Sequence, residues 1–195
     1  MTTQIDNKRN SIVAIDSFYN VKGISWSEHQ IHGSLDHSGD SIPGELLPSG
    51  VVQTYRGIQF QLPRHTTNHF DMVSCEGQTV PINARCDEIA FLGMSTFGDH
   101  TDFVVISYSD GETDEQLFRI SDWGRLFFTN DLFPDEEIGI IFPYRRNIQG
   151  NKVPYLAGLS IQKIVIDKHK EISSITLPPN PYIFLASITL IHEHE

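Results

Sequence analysis

Cysteine is nearly absent. Cys75 and Cys86 are the only two in 195 residues, too few for a disulfide framework or a zinc site, and no nearby His spacing completes one. The expectation is two free thiols in a core. Basic residues are scarce as well. Lys and Arg total 14 against 25 Asp and Glu, a formal net charge of −11. Such a chain repels phosphate backbones and anionic lipid, which argues against nucleic acid and membrane surfaces as partners. No apolar run is long enough to cross a bilayer, and the polar start at residues 1–10 holds no signal-peptide core. The reading is a cytoplasmic chain. A Gly-x-Ser-x-Gly elbow and a phosphate-cradling glycine loop are both missing. Long helical windows are missing too, because 14 Gly and 10 Pro are scattered throughout.

What remains is a succession of short apolar runs between turn signals. Residues 51–60 read as a strand pair or a bulged strand, with Arg56-Gly57 as punctuation, and 88–94 as a short apolar run. Residues 102–108 and 116–120 flank Ser109-Asp110-Gly111-Glu112, the strongest hairpin signal in the chain. Further strands are expected over 137–143, 157–167, 172–177 and 182–191, with one turn of helix near 43–47. Hydrophobic residues make up 39% of the chain, including 12 Phe, enough for a substantial core. The pattern predicts an all-β, two-sheet antiparallel β-sandwich. Residues 1–11 read as a flexible leader and 12–195 as one domain.

Several segments in chain order carry a resemblance. They include Tyr19-Asn20-Val21-Lys22-Gly23-Ile24-Ser25, Gly33-Ser34-Leu35-Asp36-His37-Ser38-Gly39-Asp40-Ser41 and Pro43-Gly44-Glu45-Leu46-Leu47-Pro48. Gly57-Ile58-Gln59-Phe60, Gly77-Gln78-Thr79-Val80, Phe91-Leu92-Gly93-Met94-Ser95 and Ser121-Asp122-Trp123 continue the series. Together, over about residues 18–190, they resemble an accessory β-sandwich domain of bacterial glycoside hydrolases, of the kind beside fucosidase and mannosidase catalytic domains. The chain departs from that pattern at His37, where a Gly is usual, and at Met72, where an Asn is usual. The resemblance implies a jelly-roll, galactose-binding-like sandwich and a glycan or other small-molecule ligand. It bears on fold more than on function.

Four groups of residues could carry chemistry. Asp36, Asp40 and Glu45 offer hard oxygen ligands for a structural calcium ion, although Asp36 and Asp40 also suit an Asx turn. Nine histidines are many; His29, His32 and His37 fall in one expected loop, and His192 and His194 share one face of an extended C-terminus. Asp71, Asp99 and Asp122, each near aromatics, are the acid–base candidates. Trp123 reads as core, whereas Trp26 and Tyr144 sit among polar residues. If the loops converge at one end, Trp26 and Tyr144 supply flat apolar surface, and His37, His69 and Arg145 supply polar contacts. The first functional reading is a non-catalytic carbohydrate- or small-ligand-binding module with structural calcium. The alternative is a stand-alone intracellular enzyme of natural-product biosynthesis, a cyclase or isomerase on the same scaffold.

Overall fold

The computed structural model describes residues 9–65, 69–125 and 132–192. Among the described residues, sixteen strands follow one another, and the helical turns between them are short 3-10 turns. They are β1 (Arg9–Val13), β2 (Ile24–Ser25), β3 (Ile42–Pro43), β4 (Val52–Tyr55), β5 (Ile58–Gln61), β6 (Val73–Ser74), β7 (Thr79–Ala84) and β8 (Glu88–Ser95). There follow β9 (His100–Tyr108), β10 (Thr113–Ile120), β11 (Glu136–Phe142), β12 (Arg145–Asn147), β13 (Gly150–Lys152), β14 (Ala157–Val165), β15 (Ile172–Thr176) and β16 (Ile183–His192). No described helix is long and apolar enough to cross a membrane.

Two large antiparallel sheets form the sandwich. One runs β1-β16-β8-β14-β11, with β6 added beside β16, and the other runs β10-β9-β15-β7. The second sheet reads as a half-buried sheet should: on β9, Val104, Ile106 and Tyr108 point inward while Phe103 is exposed. The first sheet does not alternate. Every residue of β8 from Ile89 to Ser95 is buried, because the sheet is covered on both faces. Ile89 and Phe91 enter the core between the two sheets. Ala90, Leu92 and Met94 enter a second core on the opposite face. Three two-stranded units, β2-β3, β4-β5 and β12-β13, and their loops close that second core with Ile24, Ile42, Leu47 and Phe60. The sandwich thus carries a third, irregular layer that period-two patterning does not announce.

The start of the chain departs from expectation. Residues 9–11, read as part of a flexible leader, belong to β1, whose register pairs Arg9 with His192 and Val13 with Ile188. Position 194 and residues 1–8 lie outside the described residues. Cys75 and Cys86 are free and buried, as expected. Trp123 is 2% exposed and belongs to the second core.

The β9–β10 hairpin forms where the sequence places it. Its register joins Thr113 to Ser107 and Phe118 to Asp102. Asp110 Oδ1 accepts the Glu112 N–H at 2.9 Å, and Gly111 takes a φ of 90° with nothing within 4 Å of where a Cβ would sit. Space is therefore no obstacle at 111, but a left-handed backbone is. Gly111→Ala is expected to lower stability by about 1 kcal/mol. Urea unfolding of the pair checks it; coincident midpoints would remove the argument.

Candidate functional site

The loops at the Ser95/Ile183 end of the first sheet converge. The β8–β9 connection turns tightly: Ser95 Oγ donates to the Gly98 carbonyl at 2.8 Å, and Gly98 donates its N–H to Asp122 Oδ2 at 2.9 Å. Asp122 in turn donates its N–H to Asp99 Oδ1 at 2.9 Å, and Arg125 pairs with Asp99 Oδ2 at 2.8 Å. This network forces Phe97 into the left-handed region, at a φ of 63°, and leaves it 53% exposed. A bulky residue in that conformation is an outlier held by its surroundings. Its ring lies 4.8 Å from His37 and 5.3 Å from Tyr182, and His100 stacks on Tyr182 at 5.8 Å. His100 is fixed from behind by the Thr96 carbonyl at 3.0 Å and Asn180 at 3.2 Å. The result is a row of four rings, His37, Phe97, Tyr182 and His100, on a rigid base.

Behind the row, the Arg145 guanidinium lies 4.1 Å above the Trp123 ring. Burial pulls the Arg145 pKa below its usual value, while the carboxylates of Asp122, Asp40 and Asp36 work against that shift. His37 and Arg145 therefore belong to one end of the molecule. Trp26 and Tyr144 meet elsewhere, on either side of the 3-10 turn Gly44–Leu46. A Cβ at Gly44 would strike the Trp26 ring, and the Tyr144 hydroxyl donates to Glu45 at 3.0 Å. Trp26 packs against His65 at 4.1 Å. His69 lines a cleft along β1. The five ligand-site residues expected from sequence thus fall in three places. Phe97, Tyr182 and His100 were missed. Their only sequence signal is Phe97-Gly98-Asp99 at a hairpin turn, and Tyr182 is 85 positions away in the chain.

Each of the three calcium candidates already has partners. Asp36 Oδ1 accepts the N–H groups of Ser38 and Asp40, each at 2.9 Å, so it closes its own turn. Both oxygens of Asp40 hold the Lys152 ammonium at 2.8 Å. Glu45 is paired with the buried Arg146 guanidinium. A calcium ion needs six to eight oxygens and would have to displace two cations here. Among the described residues no three His, Cys, Asp or Glu side chains come together as a metal site. The acid–base candidates are also committed. Asp99 and Asp122 hold the turn network above, and Asp71 is fully buried with its Oδ1 on the Gly23 and Ile24 N–H groups at 2.6 and 3.3 Å.

No curated protein matches the chain. A model of the AziU2-like beta-sandwich domain matches residues 9–194, which takes in every strand from β1 to β16, and the chain belongs to that family.

Proposed function

We propose that this chain is a ligand-binding β-sandwich module that takes a neutral saccharide, or a similarly flat hydroxyl-bearing molecule, on the ring row of His37, Phe97 and Tyr182. The observation that carries this reading is Phe97: an aromatic held in a strained left-handed backbone and yet left half in solvent. Burial gains little from such a residue, while a ring face presented on a fixed turn suits stacking against a sugar face. Polar groups at the rim, among them Asp36 and the Asp99–Arg125 pair, suit hydroxyl recognition. The resemblance to accessory domains of glycan-degrading enzymes favours the same ligand class.

A panel of neutral oligosaccharides, followed by calorimetric titration of any hit, tests the proposal. Phe97→Ala and Tyr182→Ala are each expected to weaken binding about tenfold or more, the equivalent of losing a stacking contact and its buried area. Phe97→Asn is expected to lose binding equally while melting at or above the wild-type temperature, because Asn tolerates the left-handed region. Full affinity in the Phe97→Ala/Tyr182→Ala double variant, or no saccharide bound at millimolar concentration, would refute it.

A further inference from the structure

The interior strand β16 carries an irregularity that the ring row does not use. Its register against β8 runs evenly from Ile183↔Ser95 to Leu185↔Gly93, slips, and resumes at Ser187↔Leu92. One extra residue is accommodated between Leu185 and Ser187. Leu185 and Ile188 both enter the core between the sheets, and Ala186 enters the second core. Ser187 is left over. A bulge of this kind re-aims a side chain, and bulges gather at functional sites. The Tyr19 hydroxyl donates to the Ala186 carbonyl at 3.1 Å and ties the irregular backbone down.

Ser187 is 1% exposed, and its Oγ has no hydrogen-bond partner among the described residues. An unpaired buried hydroxyl is destabilising, so its retention calls for a reason. Ser187 lines the floor of a cleft of about 580 Å³, within the size range of small-molecule sites. Val13, Ile15, Leu62, Pro63 and the exposed Phe70 contribute apolar lining, and Tyr19, Gln61 and His69 contribute polar lining. The rim carries Asp16 and Arg64, one charge of each sign. Opposite charges give no net preference for an ion, while Val13 and Phe70 offer apolar surface to an apolar body.

We infer that this cleft is a second binding site, for a compact neutral molecule with an apolar body and one carbonyl or hydroxyl group that pairs with Ser187. It is separate from the ring row, which lies at the start of β16. The ligand would supply the partner that the fold withholds from Oγ, so the polar group and the apolar body are recognised at different depths of one cleft.

Two probes of nearly the same shape, 1-indanone and indane, separate these contributions. Their binding is read from amide shifts of the full chain by NMR. The wild type is expected to bind 1-indanone about tenfold more tightly than indane, the effect of one satisfied hydrogen bond. Ser187→Ala should abolish that difference by weakening 1-indanone alone. The same variant should melt a few degrees above the wild type, roughly 2–4 °C, because it removes a buried unpaired hydroxyl. Ala14 is exposed and lines the cleft, so Ala14→Trp should block both probes without touching the core. Phe97→Ala should leave both affinities unchanged, which keeps this test independent of the ring row. Equal affinities in the wild type, no binding of either, a preference that survives Ser187→Ala, a lower melting temperature for Ser187→Ala, or undiminished binding to Ala14→Trp would each overturn the inference.

Discussion

Gly93→Ala is expected to destabilise the chain by about 3 kcal/mol, and Gly93→Val by enough to prevent folding, since total stabilities run to about 5–15 kcal/mol. Gly93 sits in the middle of β8, paired with Leu185 of β16 on one side and Ser160 of β14 on the other. A Cβ there would run into the Phe184 carbonyl oxygen, lie 2.8 Å from Leu185 Cδ2 and reach Ile120 Cδ1 at 3.4 Å. The first of these is backbone of the neighbouring interior strand β16 and cannot step aside without disturbing the slip at Leu185 to Ser187. The glycine therefore answers a close approach of two backbones, which is a different requirement from the left-handed turn at Gly111. The two positions give opposite expectations from ordinary intuition: the turn glycine tolerates Ala at modest cost, and the strand glycine does not. Urea unfolding of Gly93→Ala and Gly111→Ala side by side decides it. Equal losses would mean that the β8–β16 contact yields easily.

Strand positions were legible because the hairpin chemistry is local. Ser109-Asp110-Gly111-Glu112 contains both the Asx acceptor and the left-handed residue that its turn uses. The same holds for β4 and β5, which turn at Arg56-Gly57, where the sequence shows a break. The third layer was not legible. β8 and β16 place alternate residues in two different cores, so neither strand shows the apolar/polar alternation that reports one wet face. A run such as Ile89-Ala90-Phe91-Leu92 then reads only as apolar. The site was less legible still. Phe97 gains its role from Asp122 and Ser95, which hold its turn, and from Tyr182, which meets its ring. Ser187 gains its role from a slip in register. Neither a ring contact across 85 positions nor a bulge leaves a periodic trace. The surroundings of the expected loop residues were hidden for a related reason: Glu45 and Asp40 look like free ion ligands in the sequence, and their partners Arg146 and Lys152 come over 100 residues later. Acidic residues in a chain of net charge −11 are read in isolation, whereas their partners are set by topology.

The stability of the chain should carry the signature of Asp71, and Asp71→Asn should erase it. Asp71 is fully buried; burial pushes its carboxyl up to about 6, against the opposing pull of the Gly23 N–H, the Lys22 ammonium and the Ile24 N–H. Lys22 lies 3.5 Å from Oδ2 and also donates to the His69 carbonyl at 2.6 Å. In the unfolded chain the carboxyl titrates near 3.8. Between these two values the folded state holds a proton that the unfolded state has released, so the contribution of this group to stability falls as pH rises from about 4 to about 6, and is level above. The full change is about 3 kcal/mol. The Asn amide oxygen can still accept from Gly23 and Ile24, and the amide does not titrate. Any constant penalty, such as Lys22 losing its counter-charge, shifts the whole curve and leaves its shape alone. Measured by urea unfolding from pH 4 to pH 7, Asp71→Asn should therefore gain about 2 kcal/mol on the wild type, the part of the full change that falls within that range. Asp71→Ala separates structure from charge: it orphans two buried N–H groups and should fall below Asp71→Asn by about 2–4 kcal/mol at every pH in the range. Parallel wild-type and Asp71→Asn curves would mean that the carboxyl is ionised in the folded chain at pH 4, held there by Lys22 and the two N–H groups in spite of burial.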